Sequence, residues 1–272
     1  MEQEIKYSRL AESELANLGI VLSSLRSLRG NRRSHIAYVG MPVTTGKRLY
    51  QVFSNEGVKD REALSKKLGP QAFWNLVVQP NIQEGTVLAD KLGSERDLLF
   101  VAPSVFDASK WQWTQTAYMA LWYNVITEFA GSHFVMDGWE YSLGGLREVF
   151  FSMMLQWRYI RWYNKDQAAR IFGLQNLFAG LDHQGTQKLL EEMWQMRVYD
   201  SAGKEISVDR ALSLSVDAIY DLRERGFEYQ ELIGVAYSLM QLPVLSPLCD
   251  DGPTPWETDV YSQAREKLLL LI

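Results

Sequence analysis

Apolar positions recur near helical spacing over residues 8–29, at Leu10, Leu15, Leu18, Ile20, Val21, Leu25 and Leu28, and Gly30-Asn31 ends the run. The pattern then switches. SHIAYVGMPV (34–43) is a short apolar run that reads as a strand, broken at Gly40 and Pro42. Helical stretches follow over 47–68, interrupted near Asn55-Glu56-Gly57. FWNLVVQ (73–79) reads as a second strand, stopped by Pro80. A short helix is expected over 83–92, a third strand at 98–102 before Pro103, and a long aromatic helix over 111–130. A fourth strand falls at 133–136, with Asp137-Gly138 at its exit, and a helix over 144–162.

Beyond about 165 the pattern becomes mainly helical, at 166–180, 184–196, 208–225 and 228–241. Two short strands are expected within 197–208, joined by a turn at Ser201-Ala202-Gly203. A proline-rich loop spans 242–256 and a last helix 257–271. The division this implies is an N-terminal helical extension (1–34), an α/β domain (35–165) and a mainly helical C-terminal region (166–272). Strands alternating with helices predict a mostly parallel sheet with right-handed crossovers and helices on both faces. Ligands on such sheets bind beyond the carboxyl ends of the strands, which directs attention to 40–48, 103–110 and 137–148.

Composition narrows the class. Of 272 residues, 47% are hydrophobic and 22% charged, the profile of a folded globular chain with a sizeable core. A net charge of -5 removes a chain-wide footprint for duplex nucleic acid. The local cluster Arg26, Arg29, Arg32 and Arg33 reads as a solvated helix end or a phosphate contact. The single cysteine, Cys249, allows no internal disulfide and fits a reducing, cytoplasmic setting. The polar N-terminus and short apolar runs give no expectation of a signal peptide or membrane span. Three scattered histidines and one cysteine make a zinc site an unpromising reading, and no metal or organic cofactor is expected.

The most informative stretch is Asp137-Gly-Trp-Glu-Tyr-Ser-Leu-Gly-Gly-Leu-Arg-Glu148, running from a strand exit through a turn into a helix. Ser142 can cap that helix. Gly144 and Gly145 can let a ligand approach the backbone, and exposed amides at a helix start favour anions or hydroxyl-rich groups. Glu148 lies about one turn in, facing the same mouth. The plain alternative makes Glu148 a charge stabilised by the helix dipole and Asp137 a turn residue.

This stretch resembles the nucleoside 2-deoxyribosyltransferases and their nucleotide-hydrolysing relatives. Their loop of the form Asp/Ser-x-Gly-x-x-x-Glu follows a strand ending in an acidic residue. The match is Ser142-Leu-Gly144-Gly-Leu-Arg-Glu148 with Asp137 before it. Tyr38-Val-Gly40-Met-Pro42 corresponds to the family's opening Tyr-x-Gly-x-Pro-like loop, which holds sugar or phosphate. The resemblance spans about 35–165. It departs from the family at Val149-Phe150-Phe151, where a Gly-Tyr-Ala pattern is usual, and in the longer aromatic segment at 103–130. The fold expected is α/β, a flavodoxin-like mostly parallel sheet plus the C-terminal helical region. The resemblance implies Glu148 as nucleophile, with Asp137 as general acid or base-binding group. Tyr38, Gly40, Pro42, Ser142, Gly144 and Gly145 would line the pocket, and a homo-oligomer is expected, since relatives often complete each site with a neighbouring subunit. Chemically, N-glycosidic cleavage passes through an oxocarbenium-like state at C1′, which a neighbouring carboxylate stabilises or traps as a glycosyl ester.

Gly40-Met-Pro-Val-Thr-Thr-Gly46-Lys47-Arg48 is close to a phosphate-binding P-loop. It has one residue too many between the glycines, and Arg48 stands where a magnesium-binding hydroxyl is needed. A loop contacting phosphate or sugar without magnesium fits better, with Lys47 and Arg48 pairing with a phosphate or simply exposed. Trp139 is the stacking candidate for a base, or a lid packed on the sheet edge. The aromatics Trp111, Trp113, Tyr118, Trp122 and Tyr123 read as core at helical spacing. Four functions stay open: cleavage or exchange of a nucleoside or nucleotide N-glycosidic bond, nucleotide sensing without catalysis, NAD glycohydrolysis, and a purely structural assembly role.

Overall fold

The computed structural model describes residues 17–24, 36–105, 114–156, 182–245 and 259–272. Its centre is a four-stranded sheet. Strand β1 (Ile36–Gly40) is buried at every position, as expected for a strand covered on both faces. β2 (Leu99–Val101) and β3 (Ser132–Val135) flank it, and β4 (Val198–Tyr199) extends the sheet beyond β3. The order is β2-β1-β3-β4 and every pairing is parallel. In register, Tyr38 lies opposite His133 and Gly40 opposite Val135. Because the chain leaves β1 for one side and returns on the other, the strand order reverses between β1 and β3. This is the flavodoxin-like arrangement, in which the carboxyl ends of these two strands are the usual place for a ligand crevice. Here the residues at that point are buried, and a cavity of about 390 Å³ lies instead between the helix Gln79–Arg96 and β2, lined by Thr86, Asp90, Phe100 and Ser104.

Helices cover both faces. Helix α1 (residues 17–24) packs Leu18 and Leu22 into the core. After β1 come α2 (Lys47–Glu56), α3 (Arg61–Leu68) and the long α4 (Gln79–Arg96). Leu88 and Leu92 of α4 lie against Ala37, Val39, Phe134 and Met136 on one face of the sheet. On the other face, α5 (Gln115–Asn124) and α6 (Leu143–Gln156) bring Leu121, Trp122, Phe151 and Leu155 against Ile36 and Tyr38. Helix α7 (His183–Trp194) precedes β4. In α8 (Val208–Glu224), Ala211, Leu212, Ser215, Val216, Ile219 and Leu222 are buried at helical spacing. They join α9 (Gln230–Leu245), α10 (Asp259–Leu269), α2 and α6 in one continuous apolar core. No helix among the described residues is long and apolar enough to cross a membrane.

Three strands lie where the pattern placed them; the strand expected at 73–79 does not exist. Trp74–Val78 is a wide π-turn running directly into α4. Its burial is helical rather than alternating, with Val77 and Val78 adjacent and inside while Trp74 and Leu76 are exposed. Pro80 did not stop this segment because it falls in the first turn of α4, where a missing N–H costs little. Of the two strands expected in 197–208, only β4 forms. The return is a single antiparallel bridge between Tyr199 and Glu205, around a turn tied by the Asp200 side chain to the amides of Ala202 and Lys204. Helix α9 runs through Pro243 to Leu245. The sheet and the largest core draw on residues from both sides of position 165. The arginine cluster at 26–33, Trp111 and Trp113 lie outside the described residues.

Candidate functional site

Strand alternation decides what faces what. Ala37, Val39, Phe134 and Met136 point to the α4 face. Tyr38, Gly40 and His133 point to the opposite face, toward α6. Glu148 comes up from α6 to meet them, 6% exposed, and Ser152 lies one turn further along the same helix, fully buried. A Cβ at position 40 would lie 2.5 Å from His133 Nε2 and 3.1 Å from Glu148 Oε2. Gly40 is therefore required so that an imidazole and a carboxyl can both rest on the backbone at the end of β1.

The cluster is polar but enclosed. His133 Nδ1 shares a hydrogen bond of 2.8 Å with Ser152 Oγ, while Nε2 has no hydrogen-bond partner. The Tyr38 ring is tilted against His133 at 5.1 Å between centroids. Its hydroxyl closes no hydrogen bond of ordinary geometry, yet lies near enough to the Glu148 carboxyl for each to bias the other's proton. Burial pushes Glu148 up to about 8, with the Tyr38 hydroxyl working weakly the other way. Burial also raises the Tyr38 phenol well above its ordinary value, reinforced by Glu148, and lowers His133 to about 3. At neutral pH the free protein thus holds a largely protonated Glu148 beside a neutral imidazole.

Two loops close over this end of the sheet. Residues 41–46 follow β1; residues 136–142 follow β3 and include a 3-10 turn, Trp139–Tyr141. Thr45 Oγ1 and Ser142 Oγ share a hydrogen bond of 2.8 Å, and Ser142 Oγ also accepts from the Gly145 amide at 3.2 Å, capping α6. Gly46 (φ 85°) packs on Pro42, and Gly138 (φ 86°) leaves room for the Lys47 side chain. Asn81, buried on α4, donates to the carbonyl of Pro42 at 2.6 Å and fixes the first loop from below.

The structure brings Tyr38, Gly40 and Glu148 together, as the two motifs required, and Pro42 and Ser142 into the paired loops beside them. It distributes the other candidates differently. Asp137 is exposed at the exit of β3 and accepts a hydrogen bond of 2.7 Å from Ser201, on the β4 side. Trp139, read from the sequence as either a stacking candidate or a packed lid, is 3% exposed within the largest core, as the packed reading has it. At Gly145 a Cβ would lie 2.8 Å from the Trp139 carbonyl oxygen, so the turn itself requires the small residue. Gly144 is half-buried, with its Cα direction open apart from Ser142 Oγ at 3.8 Å. Lys47 is exposed, with its ammonium 6.0 Å from the Tyr141 ring, whereas Arg48 is engaged by Glu84 and Asn81. Glu140 is half-buried beside Lys47, and burial raises its carboxyl.

His133 and Ser152 were not singled out by the sequence. The four-residue interval from Glu148 to Ser152 and the two-residue register of His133 were the available signals. No group of acidic, histidine or cysteine side chains among the described residues is arranged to hold a metal ion. No family model matches this chain, and neither the curated proteins nor the solved structures give a match.

Proposed function

We propose that the chain cleaves or transfers the N-glycosidic bond of a nucleoside or nucleotide, with Glu148 as nucleophile. The observation that supports this reading is the place of Glu148: a buried carboxyl at the carboxyl ends of β1 and β3, near the Tyr38 hydroxyl and, across Gly40, the His133 imidazole. In the reaction the Glu148 carboxylate bonds to C1′ as the C1′–N bond breaks. The base leaves with that electron pair and takes a proton from an acid, for which Asp137 is the exposed carboxyl on the strand exit. Water or a second base then attacks C1′, releasing Glu148 and giving hydrolysis or transfer. Because Glu148 is 6% exposed, sugar reaches it only when the paired loops at 41–46 and 136–142 shift.

A nucleophile must be ionised. With the free carboxyl at about 8, kcat/KM for base release rises with pH through that value and levels off above it. A rate that falls over the same interval assigns Glu148 to proton donation instead. The direct test incubates the protein with a panel of nucleosides, nucleotides and NAD and looks for free base or nicotinamide. Glu148→Gln lowers release about a thousandfold or more; unchanged release removes the mechanism. The enclosure of Glu148 also favours a second reading, a nucleotide sensor that does no chemistry, and calorimetry showing binding without base release would select it.

A further inference from the structure

The proposed reaction uses Glu148 and leaves unexplained why an imidazole and a serine are buried beside it. Ser152 and His133 are both fully buried. A buried hydroxyl needs an acceptor for its proton, and the partner that Ser152 Oγ has is His133 Nδ1, at 2.8 Å. If Ser152 donates there, Nδ1 carries no hydrogen and the ring proton sits on Nε2. That atom has no other partner, and it flanks with Glu148 Oε2 the same point above the Gly40 backbone. The opposite tautomer leaves the Ser152 proton without an acceptor and turns a lone pair toward the place where a carboxylate must form.

We infer that His133 is a positioning residue: Ser152 fixes its ring so that an Nε2–H donor stands beside the Glu148 carboxyl and supports its ionised form. The groups near Glu148 are Tyr38 on β1 and, across Gly40, His133 on β3, with Ser152 bonded to the far side of the His133 ring and Tyr123 of α5 acting on Tyr38. Tyr38 and His133 are both neutral at working pH, so support for the carboxylate comes from oriented N–H and O–H dipoles rather than a counter-charge. The contribution grows as Glu148 ionises, which is the form a nucleophile needs and the form regenerated when the glycosyl ester opens. This inference rests on the nucleophilic reading of Glu148 for its purpose, and on the buried geometry alone for its existence.

The test separates the two. In the wild-type protein, nitrogen NMR of labelled histidine reports the His133 tautomer; protonated Nε2 with bare Nδ1 is expected, and protonated Nδ1 overturns the inference. Carbon NMR then follows the Glu148 carboxyl, its signal identified by its loss in Glu148→Gln. In His133→Phe its proton affinity rises about tenfold. His133→Gln, which can again present an N–H, returns it toward the wild-type value, and an unmoved carboxyl in His133→Phe overturns the inference. Should His133→Phe not fold, Ser152→Ala serves, with a mixed tautomer expected and an unchanged one contrary. If base is released, the pH profile of kcat/KM moves with the carboxyl. If wild-type protein releases no base, the glycosidic reading fails while the tautomer and titration still decide the role of His133.

Discussion

The two faces of the sheet are made by the same strands and differ by one residue of alternation. On the α4 face, Ala37, Val39, Met41, Phe134 and Met136 meet Leu88 and Leu92, all of them apolar. On the α6 face at the same level stand a phenol, an imidazole, a carboxyl and a serine, equally deep. Burial of apolar groups stabilises the fold, whereas burial of a carboxyl and an imidazole costs stability unless they are well partnered. One face therefore answers to folding. The other carries groups that folding alone would replace with leucine.

Substitutions can break that contrast. The largest effect is expected on the apolar face, where Phe134→Ala removes a ring packed against Phe100 and Tyr199 and costs about 3–5 kcal/mol in urea unfolding. A cost below about 1 kcal/mol would show that face to be loosely packed. Gly40→Ala overpacks the polar face against His133 and Glu148, costing about 1–3 kcal/mol and abolishing any base release.

The pH dependence of stability sharpens the comparison. Glu148 is raised in the fold, so its contribution is present at low pH and is lost as pH rises from the unfolded value toward about 8. His133 is depressed in the fold, so its contribution is lost as pH falls below its unfolded value of about 6.5. The two oppose each other in mild acid. Between about pH 6.5 and 8 Glu148 is the one of this pair that titrates, and its contribution falls as pH rises. Glu148→Gln flattens this interval, and a slope that persists in that variant would place the titrating group elsewhere. The smallest effect is at the loops. Ser142→Ala removes both the α6 cap and the Thr45 contact for about 1 kcal/mol, read as a shift in the unfolding midpoint.

Strands β1, β2 and β3 were legible because short apolar runs closed by Pro42, Pro103 and Asp137-Gly138 have few other readings. FWNLVV was misleading for the same reason: a buried apolar run bounded by proline looks like a strand, and only its tertiary setting shows Pro80 to be in the first turn of a helix. That Tyr38, Gly40 and Glu148 lie close together could be expected because each stands in a motif with fixed spacing. His133 could not be added to them, since one polar residue in a four-residue strand carries no period of its own. Trp139 was left open between a stacking platform and a lid packed on the sheet because an aromatic in a turn can face either way; it packs into the core.

β4 has a consequence for anyone dividing this protein. Its two residues come from beyond position 165, and they pair with β3, the strand that carries His133. A fragment ending at 165 would leave the His133 amide, which donates to Arg197, unpaired along a raw margin, and would strip α8 and α9 from the flank of α6. Such a piece would seek other chains to stick to, so the C-terminal region acts as the bandage over that edge of the sheet.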